Sequence, residues 1–416
     1  MSNQTIKRTV QALAAGCCAL IIAGGTRAAD QAATGWPQYR GPARTGISEE
    51  TGLLKSWAEP GPKVVWKMPI GEGFSGISVV GDRLYTMYGT GEDDVLACHS
   101  TSDGREIWKL RVDRKWTDDV GNGPRATPTV AGDTVYALSG RGTLVAVKAA
   151  TGEKMWTADL TDKVDAKIPH WGVSTSPLVE ENLLILDAGG GSNKSVVAVD
   201  RSTGAVKWTA HSDDPGYSAP LAVEIGGVRQ ILSFAGSSLV SVTPTDGKVL
   251  WSVPWKTPYN VNAAMPVFIP PDKVFISSSY DTGAAVYQVT KSGAAFTTSE
   301  VWKSRVMKNH FNSSVYLNGY LYGFDDRNLK CIDAATGMEK WKQTGFNKGS
   351  LLLADGHLII FSEQGLLAMA EASPDAYKEK GRAQILEGRT WTMPALAGKK
   401  LYLRNEKVMV ALDLAG

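Results

Sequence analysis

Residues Cys331–Trp341 read CIDAATGMEKW: the end of an apolar strand, an aspartate, a Thr-Gly turn and a tryptophan four residues after the glycine. The same spacing returns in AVKAATGEKMW at Ala146–Trp156 and in AVDRSTGAVKW at Ala198–Trp208. Looser copies occupy Ala97–Trp108 and Val242–Trp251. A spacing that recurs this often indicates a repeat architecture before it indicates chemistry.

Each copy predicts a β-hairpin. Residues that alternate between apolar and polar form the first strand. Thr-Gly supplies the turn position with positive φ, and the second strand carries the tryptophan. A lone hairpin is not stable in water, so each one must pack on its neighbours. The tryptophans lie 39 to 52 residues apart, close to the period of a four-stranded propeller blade. They are Trp66, Trp108, Trp156, Trp208, Trp251, Trp302 and Trp341.

The first strands of the blades can be counted in the sequence. Eight are expected, and seven is the nearest competing count. Two blades are irregular: the fifth through an insertion between Tyr287 and Trp302, and the seventh because Glu371–Leu386 replaces the tryptophan hairpin. The expected first strands are Gly76–Val80, Thr127–Ala131, Ser176–Glu180, Ser218–Val223, Ala264–Ile269, Ser313–Leu317, Ser350–Ala354 and Thr392–Ala397.

The two ends of the repeat region complement each other. Val64–Met68 has the character of the last strand of a blade, and Met393–Leu414 supplies three strands with no tryptophan strand after them. Pairing the two closes the ring and removes open edge strands. We therefore expect residues 63–416 to form a single all-β domain, an eight-bladed β-propeller closed by its N- and C-terminal strands.

The first 28 residues have the character of a signal peptide. Lys7 and Arg8 precede a mostly apolar run, and no acidic residue occurs before Ala28, after which we place the cleavage. The sequence AAGC, which ends at Cys17, approximates a lipid-attachment box, so an outer-membrane lipoprotein is the alternative. Both interpretations predict an exported protein, periplasmic or secreted, with no transmembrane span after processing.

Residues 29–62 form a polar lead-in to the repeats. This segment contains WPQYRGP at residues 36–42, which is too rich in proline and glycine for a helix. We expect an extended segment that lies along the propeller wall.

Charge and cysteine content argue against a nucleic-acid-binding protein and against a disulfide or metal site. Removing residues 1–28 leaves 41 basic residues against 42 acidic ones, and this balance does not favour nucleic acid as a partner. The two remaining cysteines, Cys98 and Cys331, lie in strands of different blades. We interpret them as small buried hydrophobic residues rather than a disulfide or a metal site.

The pattern Ala-x-Asp-x-x-Thr-Gly-x-x-x-Trp resembles the repeat of pyrroloquinoline-quinone (PQQ) type β-propellers. That superfamily includes quinoprotein alcohol dehydrogenases and the propeller lipoprotein of the outer-membrane assembly machinery. More narrowly, the chain is similar to a group of exported bacterial propellers without a settled activity. This likeness is carried by WPQYRGP at 36–42, HWGVSTSP at 170–177, KNHFNSS at 308–314 and KGSLLLADGH at 348–357. It implies the fold more firmly than the function.

The dehydrogenase interpretation would require the residues that the resemblance implies for it: an adjacent cysteine pair, calcium ligands and an aspartate base. The only adjacent cysteines, Cys17 and Cys18, lie in the expected signal peptide. Asp118-Asp119 and Asp325-Asp326 are paired loop carboxylates, which are usually solvated turn residues. We therefore expect no catalytic residue, no metal site and no cofactor, with PQQ and calcium kept for the alternative.

Candidate binding residues cluster in one kind of loop. We name the strands of each blade A to D in chain order, so that a D-to-A connection joins the last strand of one blade to the first strand of the next. These connections emerge on one face of a propeller, where side chains can converge on the channel mouth. The opposing interpretation is that they only seal the channel. The candidates are Arg125, His170, Trp171, Tyr217, Asn262, Lys308, His310, Asn312, Lys348 and Trp391.

Such a mixture of cationic groups and aromatic rings suits an acidic or hydroxyl-rich ligand. The sequence thus favours an exported, non-catalytic binding or scaffold propeller, acting as a monomer on a protein, peptide or glycan. The alternative is a divergent PQQ-dependent alcohol dehydrogenase.

Overall fold

The computed structural model describes residues 35–416, and these form the eight sheets of a β-propeller, whose blade strands pair antiparallel. Every sheet contains the four strands of one blade in sequential order. The A strands of neighbouring blades contact each other around the axis. Hydrophobic clusters bridge neighbouring blades as well; Leu96 and Val112 of blade 1, for example, pack with Val135 and Val145 of blade 2. The eight-bladed fold is confirmed.

The strand bounds follow the expected repeats. The first four blades comprise Ser78–Val80, Arg83–Thr90, Asp93–Ser100 and Glu106–Arg114; Thr129–Ala131, Thr134–Leu138, Thr143–Lys148 and Lys154–Asp159; Leu178–Glu180, Leu183–Gly190, Lys194–Asp200 and Val206–Ala210; Leu221–Ile225, Val228–Phe234, Ser238–Val242 and Val249–Pro254. The next three comprise Val267–Ile269, Lys273–Ser278, Gly283–Ser292 and Ala295–Ser304; Val315–Leu317, Tyr320–Asp325, Asn328–Asp333 and Glu339–Gln343; Gly349–Ala354, His357–Ser362, Leu366–Glu371 and Glu379–Gln384.

Blade 8 joins the two ends of the propeller. Its A, B and C strands are Ala395–Ala397, Lys400–Arg404 and Val408–Asp413, and its D strand is Val64–Pro69. Val64–Pro69 pairs antiparallel with Val408–Asp413, as the complementary ends predict. Closure in this way leaves no blade with an unpaired C strand.

The repeated tryptophans join blades together. The indole Nε1 of Trp108 donates to the carbonyl of Ala149 at 3.0 Å, and that of Trp302 donates to Ala334 at 2.9 Å; both carbonyls lie in the C-to-D turn of the next blade. The turn glycine, such as Gly337 with φ of 72°, packs against the same ring. The Thr-Gly turn therefore provides both an acceptor and room for the indole.

Trp251 is the exception, and the irregular fifth blade accounts for it. Blade 5 has a long C-to-D hairpin instead of the Thr-Gly turn. The Nε1 of Trp251 donates instead to Oε1 of Gln230 in its own blade, at 2.8 Å.

The first half of the described lead-in, residues 35–48, does not lie along the propeller wall as expected; it crosses the central channel. The second half does reach the wall, where the backbone N–H of Trp57 donates to the carbonyl of Lys380 in the D strand of blade 7. Gly35–Trp36 pairs with the A strand of blade 1, and Ile47–Ser48 pairs in parallel with the A strand of blade 7. Between them, the buried guanidinium of Arg40 donates to the carbonyl of Ser314 in the connection that leads into blade 6, at 2.7 Å.

Arg44 anchors the lead-in on the other side of the channel. Its guanidinium donates to the carbonyls of Ser176, at 3.1 Å, of Pro177, and of Pro220, at 3.0 Å, which lie at the starts of the A strands of blades 3 and 4. Burial lowers the pKa of Arg44 to about 9 and that of Arg40 to about 10, so both guanidiniums remain charged at neutral pH. The proline and glycine content excluded a helix but did not reveal this anchoring.

Two short helices complete the described chain, Leu160–Val164 and the 3-10 turn Pro258–Asn260, and both belong to D-to-A connections. No helix within residues 35–416 has the length and apolar character to cross a membrane. The expected signal peptide and its Cys17 alternative lie outside the described residues.

Candidate functional site

The D-to-A connections enclose a cavity of about 420 Å³ at the mouth of the channel. All eight connections contribute to its lining, and Tyr39 of the lead-in is part of the lining as well. Six of the ten candidate residues line it: Arg125, Trp171, Tyr217, His310, Lys348 and Trp391. A volume of this size is within the range of small-molecule sites.

The other four candidates do not line the cavity. Asn262 is buried, and its amide donates to the carbonyls of Ala235 and Gly236, which makes it a brace between loops. Asn312 is only 2% exposed. The Nε2 of the exposed His170 lies 3.6 Å from a carboxylate oxygen of Asp119. These side chains share the face but not the cavity.

Lys308, the fourth of them, belongs to a charge cluster outside the cavity. Its ammonium lies 3.2 Å from a carboxylate oxygen of Asp326 and 3.8 Å from one of Asp325. A lysine held by carboxylates in this way is not free to receive an acidic ligand.

Arg125 is also neutralised. Its guanidinium donates to Oδ2 of Asp118 at 2.6 Å, and both side chains are less than 10% exposed. A further bond reaches the carbonyl of Gly121 at 2.6 Å. Burial lowers the pKa of Arg125. This ion pair folds the loop 118–125 on itself, and Arg125 serves the cavity as a wall rather than as a free cation.

Lys348 is the cation of the lining that no carboxylate neutralises in the described part of the chain. Its ammonium lies 3.5 Å from Nδ1 of His310, whose Nε2 lies 3.4 Å from the hydroxyl of Tyr280. Burial, and then the charge of Lys348, lower the pKa of His310 to about 4. The imidazole is therefore neutral at pH 7 and accepts from the ammonium.

Aromatic rings form two groups on the remaining wall. The rings of Phe311 and Trp391 stack at 4.9 Å between centroids, and Phe74 lies 5.4 Å from Trp391. Opposite them, Trp171 and Tyr217 lie 5.8 Å apart. Burial raises the pKa of Tyr217 to about 12, so its hydroxyl keeps its proton at neutral pH.

The rim of the cavity carries two further tyrosines. Tyr259 is 77% exposed, and its ring lies 6.2 Å from that of Tyr280, which in turn lies 5.4 Å from His310. Both tyrosines have positive φ, 63° and 55°. Bulky residues rarely adopt this conformation, and such strain concentrates at functional sites.

Sequence reasoning missed several lining residues. Tyr280 lies in the B-to-C loop of blade 5, and B-to-C loops emerge on the same face as the D-to-A connections. Considering both loop types would have identified it. Tyr39 was missed because the lead-in was expected at the wall, and Phe74 because its loop carries no histidine or basic residue.

Among residues 35–416, the lining of the cavity includes no aspartate or glutamate, the side chains that the dehydrogenase alternative would use to hold calcium. Within residues 35–416, no three His, Cys, Asp or Glu side chains gather as a set of metal ligands. The carboxylate of Asp118 is held by Arg125. Cys98 and Cys331 are buried in separate blades, which agrees with their interpretation as hydrophobic residues.

Comparisons with known proteins agree with the resemblance that the repeated hairpin carries. A protein-family model described as "Outer membrane protein assembly factor BamB" matches residues 113–343, more than half of the chain. The chain is 25% identical over 212 residues to outer membrane protein assembly factor BamB of Burkholderia pseudomallei. It is 23% identical over 188 residues to quinoprotein alcohol dehydrogenase PedH of Pseudomonas putida.

These two alignments cover 40% and 43% of this chain, and 54% and 29% of the relatives. The chain thus spans about half the length of the first relative and less than a third of the second. The described fold is also similar to BamB from Moraxella catarrhalis, with a TM-score of 0.61 and 13% identity over 85% of this chain and 100% of that one.

A second solved structure, quinohemoprotein alcohol dehydrogenase from Comamonas testosteroni, gives a TM-score of 0.62 with 12% identity over 94% of this chain and 82% of that one. At such identities these likenesses show the fold alone.

Proposed function

Because the chain belongs to the propeller family described as outer membrane protein assembly factor BamB, we propose that it is a non-catalytic binding and scaffold propeller of the bacterial cell envelope. In this proposal the protein is exported to the periplasm or secreted, acts as a monomer, and uses the channel mouth as its binding face. The assembly role in the relatives' name belongs to those proteins and suggests a protein partner for this one.

The observation that carries the proposal is the cavity at the channel mouth. Tyr39 of the lead-in is among its lining residues, and Arg40 and Arg44 fasten the lead-in to opposite sides of the channel. Concave sites with many rings and a few polar groups are typical of ligand binding. His310, the histidine among the described lining residues, contacts Lys348 and Tyr280 rather than a serine, threonine or cysteine that it could activate as a nucleophile.

The second candidate is a divergent quinoprotein dehydrogenase. The similarity to PedH favours it. The described lining of the cavity, which includes no aspartate or glutamate, weighs against it.

Thermal-shift screening of the purified protein separates the two candidates. The panel contains uronates, neutral oligosaccharides, aromatic carboxylates, sugar phosphates and PQQ. We expect a compound that raises Tm, binds one to one and is recovered unchanged. In the variant Trp391→Ala this shift should disappear, while Met338→Ala, an exposed change in the C-to-D turn of blade 6 on the opposite face, should retain it.

The same preparation is assayed for dye reduction with PQQ, Ca²⁺ and a panel of alcohols. Turnover that depends on PQQ would establish the dehydrogenase and overturn the binding proposal. A protein that no compound stabilises would contradict a small-molecule site at the mouth.

A further inference from the structure

We propose that the mouth cavity binds the terminal ring of an acidic oligosaccharide, a uronic acid, with its carboxylate on Lys348 and the following sugars along Tyr280 and Tyr259. This assignment rests on the proposed binding function and names the ligand class of the same site. Three features of the cavity carry it: one free cation, hydroxyl groups beside aromatic rings, and an aromatic path that continues to the rim.

The charge of the cavity calls for one acid group inside it. Arg125 is neutralised by Asp118, which leaves Lys348 as the cation without a carboxylate partner among the lining residues that the structure describes. Glu363 stands near, but it accepts hydrogen bonds from Nε1 of Trp391, at 3.1 Å, and from the backbone N–H of Lys348, at 3.4 Å. A ligand carboxylate would give the ammonium the charge-assisted partner that it lacks.

The guanidiniums of Arg40 and Arg44 add a favourable field. Both lie in the lead-in next to Tyr39, and within residues 35–416 neither has a carboxylate partner. Their hydrogen bonds go to carbonyl groups and to Gln38, so their positive charge persists and attracts an anion to the cavity.

The rest of the lining suits a sugar ring. Aromatic faces bind the apolar C–H face of a sugar, and hydroxyl groups can donate to and accept from its own hydroxyls. Such hydroxyls belong to Thr127, Ser174, Ser176, Tyr217, Tyr280 and Ser350. Most of them already have one partner within the protein; the hydroxyl of Ser174, for example, donates to the carbonyl of Tyr217, and that of Ser176 accepts from the backbone N–H of Thr127. A sugar would use the hydrogen-bonding capacity that remains, whereas a flat aromatic acid would use only the rings and Lys348.

The path of rings to the rim favours an oligomer over a single ring. Trp391, His310, Tyr280 and Tyr259 form a series in which successive centroids lie 6.5, 5.4 and 6.2 Å apart. The series ends at a tyrosine that is 77% exposed and held with positive φ. A large exposed ring in a strained conformation has no core to stabilise, and stacking on further sugars would give it a role.

Binding of trigalacturonate, measured by calorimetry, tests the assignment. Its methyl ester is the matched neutral ligand, and benzoate represents the aromatic acids. We expect the acid to bind about tenfold or more tightly than the ester, because one charge-assisted hydrogen bond is lost in the ester. Benzoate should bind more weakly than the trimer.

Three variants locate the contacts. Lys348→Met keeps the length of the side chain and should remove the preference for the acid, while Lys342→Met, an exposed change on the D strand of blade 6, should not. Tyr259→Ala should lower the affinity for the trimer by a factor of about three to ten and leave the affinity for monomeric galacturonate unchanged, because only the trimer reaches the rim. Melting curves of all variants check that the propeller remains folded.

Equal affinity for acid and ester, or binding of benzoate through Lys348 without binding of uronates, would overturn the uronate assignment and leave the binding function standing. If the uronates, benzoate and the whole screening panel all fail to bind the folded wild-type protein, both the assignment and the small-molecule binding function are wrong.

Discussion

The ammonium of Lys348 lies 3.5 Å from Nδ1 of His310. A protonated amine can only donate, so Nδ1 accepts and the ring proton sits on Nε2, facing the hydroxyl of Tyr280 at 3.4 Å. This chain of contacts joins blades 5, 6 and 7 at the channel mouth. It also holds Lys348 at the cavity without neutralising its charge, which leaves the charge available to a ligand.

The neutral state of His310 makes stability depend on pH. The histidine has a folded-state pKa of about 4, below its usual value of about 6.5, so protonation favours the unfolded chain. The contribution of neutral His310 to the free energy of unfolding is fully present above pH 6.5 and is lost as the pH falls toward 4. We expect the wild type to lose about 1–3 kcal/mol more than His310→Gln across this window.

Urea unfolding of both proteins at pH 7.5, 5.5 and 4.5 measures this difference. The groups that face His310 are Lys348, Tyr280, Asp326 and Glu363, and all of them are shared by the two proteins. Asp94 and Asp187, whose pKa values burial raises to about 7 and about 8, favour the opposite trend in both proteins and cancel in the comparison. Parallel pH profiles would contradict the neutral, enclosed imidazole.

Trp171 carries a buried indole N–H without a partner among the described residues. An unmet buried donor costs about 1–3 kcal/mol. We therefore expect Trp171→Phe, which removes the donor and keeps a ring, to change the unfolding free energy by less than about 0.5 kcal/mol or to raise it.

Trp391→Phe is the matched comparison, because that indole donates to Glu363 at 3.1 Å. Its loss should cost about 1–2 kcal/mol, since a charged acceptor loses its donor. Chemical denaturation of the two variants gives both values. A Trp171→Phe variant that is the less stable of the two would show that its N–H is satisfied in solution.

The fold could be predicted because its cause is local and repeated. Most blades follow from one hairpin pattern with Thr-Gly at the turn and tryptophan in the D strand, and most of these tryptophans make the same contact to the next blade. Blades 5 and 7, which depart from the pattern, were placed by the spacing of their neighbours. Closure also followed, since Val64–Pro69 supplies the strand that the C-terminal repeat lacks.

The site could be predicted only to the level of a face. Loop order identifies which connections meet at the mouth, and six candidates do line the cavity. Whether a side chain enters the cavity depends on partners far away in sequence. Lys308 and Lys348 have the same character in the sequence, yet Asp325 and Asp326 hold the first while the second remains free. The crossing lead-in was missed for the same reason.

Gly337 tests the junction between blades. Its φ of 72° disfavours any side chain, and a Cβ atom would lie 2.9 Å from the ring of Trp302. Gly319, in the A-to-B turn of the same blade, has φ of 91° and open space around it. We expect Gly319→Ala to cost about 1–2 kcal/mol through backbone strain, and Gly337→Ala to cost about 1–3 kcal/mol more through the clash.

Thermal and urea unfolding of the two glycine variants provide the comparison. Equal destabilisation would mean that the C-to-D turn at Gly337 can shift to accommodate a methyl group. The contact with Trp302 would then contribute little to holding neighbouring blades together.

Arg44 tests the crossing lead-in. Its buried guanidinium donates to three carbonyls at the starts of blades 3 and 4. Among the described residues, only the carbonyl of Pro177 has a second side-chain donor, the hydroxyl of Thr129 at 2.6 Å. Arg44→Ala should cost about 3 kcal/mol or more, because buried acceptors lose their partners. Arg44→Lys should rescue little, since an ammonium lacks the planar fork that reaches several acceptors at once. The exposed change Arg105→Ala is the control and should stay within about 0.5 kcal/mol of the wild type.

The readouts for the Arg44 variants are the unfolding free energy and the protease sensitivity of residues 35–48. Loss of the anchor should free this segment before the blades unfold. It should also weaken the binding of any ligand in the mouth cavity, because Tyr39 would leave the lining of that cavity. An Arg44→Ala protein with wild-type stability and an intact lead-in would contradict the role of Arg44 as the anchor of this segment.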